Sequence, residues 1–143
     1  MKHKLFGVLS MLATTMLLAV PSLQAQTLLA ADVPFAFSAG NTMMPSGSYR
    51  ISAVSEQVDL VRNSDSGKAV FLEKAIHIQA VKEPRANLVF DKYGNDYFLR
   101  EIWDGRSNVG IQLPESKREK ELSLAANHLH DGPEIVIVAM NRN

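Results

Sequence analysis

Apolar and polar residues alternate along two segments that flank Gly94-Asn95, within residues 88–103. Gly and Asn readily adopt the positive backbone φ angles of a two-residue turn, so the pattern predicts a β-hairpin. This turn places Tyr93 opposite Asp96 and Phe90 opposite Leu99. One face of the hairpin would then carry Leu88, Phe90, Tyr97, Leu99 and Trp103. The other face would carry Val89, Tyr93, Phe98 and Ile102. A hairpin that is apolar on both faces is typical of the interior of a sandwich or barrel.

The strand period of two recurs along the chain and predicts further strands at residues 32–38, 49–54, 58–62, 68–80, 109–113 and 134–140. Pro34 has no backbone N–H, so the first of these strands is expected at a sheet edge. Residues 68–80 are long for one strand, which indicates a bulge or bend near residues 73–75. The unbroken apolar run in the last segment predicts a central strand that is buried on both faces.

Ser116 and Glu119 have the spacing of a helix capping box, in which each side chain accepts a hydrogen bond from the backbone N–H of the other residue. Good helix formers follow, so the sequence predicts a helix over residues 117–126. A strand is the alternative, because Leu122 and Leu124 alternate with polar residues. About eight strands, one short helix and regularly spaced turns predict an all-β fold, either an antiparallel β-sandwich or a small barrel.

The first residues have the organisation of a secretion signal. Two lysines within residues 1–4 precede an uncharged apolar run over residues 5–20, and small residues lead to Ala25. We therefore expect a signal peptide at residues 1–25 and a single β domain at residues 26–143. Leu23 is unusual three residues from a cleavage site, so cleavage after Ala30 or Ala31 is the alternative. An uncleaved membrane anchor is less favoured, because the apolar run is shorter than the about 20 residues that span a bilayer.

The composition adds two constraints. The 143 residues include 15 basic and 15 acidic side chains and no cysteine. Without cysteine there is no disulfide, so an exported domain of this kind must be held together by packing alone. A balanced charge provides no strongly basic face for DNA or RNA, so we expect no nucleic-acid partner. We also expect no membrane span after the signal has been removed.

Three stretches of the chain resemble a group of small exported bacterial β-domain proteins of unknown function. They are VPFAF at residues 33–37 with PSGSY at 45–49, LVF at 88–90 with YFL at 97–99 and IW at 102–103, and LP at 113–114 with Ser116, Glu119 and Lys120. Together they cover most of residues 26–143. The resemblance implies export and a β domain, and it implies no particular catalytic residue, ligand or partner.

The spacing of His128 and His130 is the feature that most suggests a binding site. Two residues apart on an extended segment, both imidazoles would project to one side, as local metal ligands do. A structural zinc takes four protein ligands and a catalytic zinc takes three, and His77 is the one further histidine after residue 25. A polar loop that leads into the turn at residues 131–133 explains the pair more simply. We therefore expect no native metal site and no cofactor.

Carboxylates recur near the hairpin, at Asp91, Asp96, Glu101 and Asp104. Paired carboxylates can act as acid and base. Asp91, however, is diagonal to Arg100 on one face, so an ion pair accounts for it. Glu101 falls on the predicted face of Trp103, where a buried carboxylate requires a partner. Every serine lies in a turn, at a cap or on an alternating face, and cysteine is absent, so no nucleophile stands out.

Large aromatic residues recur through the predicted strands, at Phe35, Phe37, Tyr49, Phe71, Phe90, Phe98 and Trp103. They are expected to fill the core rather than to line a ligand cavity. The predicted core anchors are Phe90, Phe98, Leu99 and Trp103.

Our first functional hypothesis is an exported, non-enzymatic β domain that acts as a binding or structural module in the periplasm or outside the cell. Its partner would be another envelope protein or a polysaccharide. The main alternative is a carrier that holds a small apolar ligand in its interior. A weaker alternative is a metalloprotein that uses His128 and His130.

Overall fold

Strands dominate the structure, a computed structural model that describes residues 28–82, 85–128 and 132–142. Within these ranges the strands are β1 (Leu28–Val33), β2 (Phe37–Ala39), β3 (Thr42–Met44), β4 (Gly47–Ala53), β5 (Val58–Asn63), β6 (Ala69–Glu73), β7 (Ile76–Gln79), β8 (Asn87–Tyr93), β9 (Asp96–Trp103), β10 (Val109–Gln112), β11 (Glu134–Ala139) and β12 (Asn141–Arg142). One helix in the described part of the chain, α1 (Lys117–His128), lies between β10 and β11.

The strands form two sheets. The five-stranded sheet has the order β12-β1-β4-β5-β6. The seven-stranded sheet has the order β11-β8-β9-β10-β7, and in addition β2 pairs with β9 and β3 pairs with β2. Neighbouring strands are antiparallel, except that β2 runs parallel to β9. Buried residues from both sheets, such as Ile51 and Val61 from one and Leu88 and Leu99 from the other, form a common core. The structure therefore confirms the predicted all-β class and is sandwich-like.

The hairpin of β8 and β9 has the predicted turn. Gly94 adopts a φ of 62°, and Tyr93 pairs with Asp96 while Phe90 pairs with Leu99. The register then shifts between Val89 and Phe90, because one additional residue, Arg100, bulges from β9. Beyond the shift, Leu88 pairs with Ile102, so these two side chains share one face of the hairpin. Trp103 therefore lies on the opposite face from Leu88.

This bulge corrects the predicted faces of the hairpin. Ile102 joins Leu88 in the core between the sheets, whereas Trp103 is buried on the outer face of the seven-stranded sheet. Period-two alternation predicts faces correctly only while the pairing is regular, and one bulged residue exchanges the two faces. The four side chains that were predicted to anchor the core are all buried in the structure: Phe90, Phe98, Leu99 and Trp103.

Residues 68–80 do not form one bent strand. The chain bends at the expected place, but β6 pairs with β5 in the five-stranded sheet, whereas β7 pairs with β10 in the seven-stranded sheet. Lys74 and Ala75 therefore carry the chain from one sheet to the other. Apolar residues occupy the even-numbered positions of both strands, so the apolar pattern alone does not reveal the change of sheet.

The first predicted strand is also divided. β1 ends at Val33 and β2 begins at Phe37, so Pro34 lies between two strands, where its missing N–H interrupts no ladder. β1 is not an edge strand, because it pairs with β4 on one side and with β12 on the other.

The prediction that residues 134–140 form a central strand is wrong. β11 is the last strand of the seven-stranded sheet, and within the described residues it pairs with β8 alone. The side chains of Ile135 and Ile137 are 55% and 64% exposed. The strand at this edge of the seven-stranded sheet is apolar. An uninterrupted run of Ile and Val therefore does not show whether a strand is central or at an edge.

The helix prediction is confirmed. Ser116 Oγ accepts a hydrogen bond from the N–H of Glu119 at 3.1 Å, and Glu119 Oε2 accepts one from the N–H of Ser116 at 3.2 Å. This reciprocal pair starts the helix at Lys117. α1 contacts β8, and its Glu119 side chain is buried.

Candidate binding cleft

A cleft of about 620 Å³ lies between one end of the five-stranded sheet and one end of the seven-stranded sheet. Its apolar lining is aliphatic: Leu29, Ile51, Ala53, Val54, Ile102, Val109 and Ile111. Its polar lining consists of Ser55, Glu56, Asp59, Lys74, His77, Asp104, Arg106 and Ser107. Both groups include residues of each sheet or of the segments next to it, so the cleft exists because the ends of the two sheets pack face to face.

Strand alternation explains which side chains reach the cleft. In the five-stranded sheet, Leu29 pairs with Ile51, and Ala53 pairs with Asp59, so these four side chains lie on the inner face. In the seven-stranded sheet, Ile111 pairs with Ile102 on one side and with His77 on the other. The two walls of the cleft are therefore the ends of the two inner faces.

An ion pair lies inside the cleft. Lys74 Nζ is 2.8 Å from Asp59 Oδ1, and it also donates a hydrogen bond to the backbone oxygen of Ser55 at 3.4 Å. Burial raises the pKa of Asp59 above its usual value, the hydrogen bond and charge of Lys74 oppose that rise, and nearby Asp104 adds to it. The pair joins β5 to the segment that crosses between the sheets, so it holds this end of the sandwich together.

The chain after β9 supplies a polar part of the cleft lining. Asp104 Oδ1 accepts a hydrogen bond from the backbone N–H of Arg106 at 2.9 Å, within a turn where Gly105 has a φ of 69°. This turn brings Asp104, Arg106 and Ser107 to the cleft, opposite His77 of β7. The arrangement combines an aliphatic wall with mixed charges, so the cleft can contact both an apolar body and polar groups of a ligand.

The predicted histidine pair falls partly outside the described residues. His128 is the last residue of α1 rather than part of an extended segment, and His130 and Asp131 lie outside the described ranges. Over the residues that the structure covers, no three His, Asp or Glu side chains come together in a group suited to a metal ion. His77, considered above as a third ligand, instead lines the cleft.

The carboxylates near the hairpin have structural partners. Arg100 Nε lies 3.7 Å from Asp91 Oδ2, as predicted, and its Nη2 lies 3.8 Å from Glu115 Oε1. The partner that Glu101 requires is the indole N–H of Trp103, which donates to Glu101 Oε2 at 2.8 Å. Asp96 pairs with Arg118 of the helix at 3.4 Å. Asp104 alone of the four lines the cleft.

Six of the seven aromatic residues expected in the core are buried or half-buried, whereas the expectation is wrong for Phe71. Phe35 stacks on Tyr97 with a centroid separation of 3.9 Å, and Phe37 packs edge-on against Tyr49 and Phe90. Phe71 is 66% exposed on the outer face of the five-stranded sheet. Among the described residues, no aromatic side chain lines the cleft.

Sequence reasoning missed Asp59 and Lys74, although a signal for Asp59 was present. Asp59, Val61 and Asn63 occupy alternate positions of β5 and share the inner face, so a charged residue stands where the pattern expects an apolar one. Lys74 has no such signal, because its position depends on the change of sheet between β6 and β7.

Comparison with known proteins adds no identification: no family model, curated protein or solved structure matches this chain. The resemblance to small exported bacterial proteins stays a prediction. In the part of the chain that the structure covers, no helix has the length and apolar character to cross a membrane. The signal peptide predicted at residues 1–25 lies outside the described residues.

Proposed function

We propose that this protein is an exported, non-enzymatic β-sandwich that binds a small, largely apolar molecule in the cleft between its two sheets. It would act in the periplasm or outside the cell. This proposal corresponds to the small-ligand carrier, the main alternative drawn from the sequence. The proposed site differs in that it lies at one end of a sandwich and not in the interior of a barrel.

The cleft is the observation that carries the proposal. Its volume of about 620 Å³ lies within the range of roughly 300–1,000 Å³ that is usual for small-molecule sites. The middle of the sandwich is filled, since Phe37, Met44, Tyr49 and Phe90 have almost no exposed surface. Space for a ligand is therefore concentrated at the end where Leu29, Ile51 and Ile111 form the walls.

The charges in the cleft limit the class of ligand. Asp59 and Lys74 neutralise each other at 2.8 Å. A ligand with a strong charge on its apolar body would have to replace part of that pair, and breaking a buried pair is costly. The mixed polar groups Glu56, Asp104 and Arg106 can instead receive a polar end group. We therefore propose a ligand with an uncharged apolar body and at most a small polar end.

A fluorescent apolar probe, N-phenyl-1-naphthylamine, tests this proposal directly. The protein should increase the emission of the probe in a saturable manner, and Ala53→Trp should weaken binding by at least about tenfold because the new indole occupies the cleft. Ala69→Trp is the matched control. Ala69 is an exposed alanine of the same sheet, and it lies on the outer face because its neighbour Val70 packs against the core.

Two results would contradict the proposal. Wild-type protein that fails to bind this probe or a series of short-chain and long-chain alcohols would show that the cleft is not an apolar site. Equal probe affinities for Ala53→Trp and Ala69→Trp would place the binding elsewhere on the surface.

A further inference from the structure

Among the described strands, β11 pairs with β8 alone, and its other edge, called the free edge below, presents a regular set of backbone groups. The N–H of Met140 donates to the backbone oxygen of Ala86 at 2.9 Å, in the same register that pairs Val138 with Leu88. In an antiparallel ladder, alternate residues bond to the same neighbour. The even-numbered residues of β11 therefore bond to β8, and the N–H and C=O groups of Ile135, Ile137 and Ala139 point towards the free edge.

The same residues expose apolar side chains. Ile135 and Ile137 project from the outer face of the sheet and are 55% and 64% exposed. Residues 135–139 contain neither a charged residue nor a proline, and the six pairs between β11 and β8 run without a register shift. Sheet edges are normally blocked by charges, prolines or bulges. Within the described residues, β11 carries none of these protections along positions 135–139.

We propose that β11 pairs antiparallel with β11 of a second copy of the chain, about a two-fold axis at Ile137. In this register Ile137 lies opposite itself, and Ile135 lies opposite Ala139 of the second copy. In this register each free N–H of Ile135, Ile137 and Ala139 donates a hydrogen bond to a free C=O of the second copy. All outward-pointing backbone groups of these three residues are then hydrogen-bonded. The two seven-stranded sheets become one continuous sheet through an isologous interface.

Charge and symmetry favour a second copy as the occupant. Glu134 is the one charged residue of β11, and its carboxylate is 2.7 Å from Lys92 Nζ of its own chain. Two copies therefore meet through an uncharged stretch, without like charges opposite each other. Because alternate residues bond outwards with the same spacing on both strands, β11 is complementary to itself in hydrogen bonding and in side-chain character.

The oligomeric state of the protein recovered after expression of the full chain tests the proposal. Sedimentation equilibrium should show a monomer–dimer equilibrium, and Ile137→Lys should raise the dissociation constant by at least about tenfold, because two lysines then face each other at the axis. Phe71→Lys is the matched control. It changes a side chain of equal exposure on β6, the edge strand of the other sheet, and it should leave the dissociation constant unchanged.

A cysteine placed at the axis gives a second readout. The natural chain has no cysteine, so Ile137→Cys introduces a single thiol. Hydrogen-bonded antiparallel partners have Cα atoms about 5.5 Å apart, within the range of a disulfide. Mild oxidation should link Ile137→Cys protein into dimers and leave Phe71→Cys protein monomeric. A monomer at all concentrations, or a dimer that only the Phe71 variants disturb, would overturn the proposal.

Discussion

Trp103 packs its ring against Gly110, where a neighbouring strand has no side chain. A Cβ atom added to Gly110 would lie only 2.5 Å from Cε3 of the indole. The indole N–H donates to Glu101 on the same face, so one aromatic side chain fills a gap and satisfies a carboxylate. The side chain of Trp103 therefore packs against Gly110 and hydrogen-bonds to Glu101 on the outer face of the seven-stranded sheet.

Replacement of Trp103 by alanine should therefore be strongly destabilising. The indole is 8% exposed, and Trp103→Ala should lower the free energy of unfolding by about 3–5 kcal/mol, the range for truncating a large buried aromatic. Urea unfolding followed by circular dichroism measures the change. A loss below about 1 kcal/mol would mean that the ring contributes little to packing.

Gly110→Ala tests the same contact from the other side. The added methyl group forces the indole to move, which should cost about 1–3 kcal/mol and shift the fluorescence of this single tryptophan to longer wavelength. Gly132→Ala is the control, because a Cβ at Gly132 meets no atom within 4 Å. Equal stabilities of the two variants would contradict the described packing.

The position of Trp103 was only partly predictable from the sequence. Alternation predicted a large apolar residue at Trp103, but it assigned that residue to the face of Leu88. The bulge at Arg100 exchanges the faces, and no apolar pattern reveals it, because both faces of this hairpin are apolar. The ion pair of Asp91 with Arg100 was predictable, because Arg100 directly follows Leu99, where the regular pairing from the turn ends.

Among the elements, α1 begins with a capping box that involves only neighbouring residues. Such local signals are fully contained in the sequence, which is why the start of the helix was predicted correctly. The locations of β6, β7 and β11 in the two sheets depend on distant strands, and the period of two is the same in either sheet. The cleft was not predictable for the same reason, because its walls belong to different sheets.

Ser116→Ala should destabilise the helix start. The substitution leaves the N–H of Glu119 without its acceptor, and we expect a loss of about 0.5–2 kcal/mol in the free energy of unfolding. Ser64→Ala, at an exposed turn position, is the control and should change stability by less than about 0.5 kcal/mol. If both variants unfold at the same urea concentration, the cap does not contribute as described.

For the whole molecule, three buried carboxyl groups make stability depend on pH. Burial raises the pKa values of Asp59, Asp91 and Glu119, while Lys74 opposes the rise at Asp59 and Arg100 opposes it at the other two. Between the usual carboxyl pKa of about 4 and these raised values, the folded state retains protons that the unfolded state has released. The free energy of unfolding should therefore increase as the pH falls into this window and decrease as it rises through the raised pKa values.

Urea unfolding measured in steps from about pH 7.5 down to about pH 4 should show this difference, with a midpoint that rises as the pH falls into the window. Asp91→Asn should reduce the pH dependence, because it removes one of the titrating groups. Asp96→Asn is the control, since the Asp96 side chain is 45% exposed. A wild-type midpoint that falls steadily from about pH 7.5 to about pH 4 would reverse the sign that burial of these carboxyl groups predicts.

Export is a prediction about the whole chain. If residues 1–25 are a signal peptide, the exported protein begins at Gln26, and its intact mass reports the cleavage site. A mass that corresponds to cleavage after Ala30 or Ala31 would place part of β1 outside the exported form. A mass that retains residues 1–25 would contradict the signal-peptide prediction.

The position of β1 in its sheet affects how the protein is made. β1 has β4 on one side, close in sequence, but its other neighbour is β12, and Leu29 meets Arg142 from the far end of the described chain. Contacts over such separations form slowly, because a long loop must first be closed. While residues 141–142 are still within the ribosome, the side of β1 that pairs with β12 stays unpaired. An unpaired strand edge of this kind is prone to aggregation, so the nascent protein is exposed to it until β12 pairs with β1.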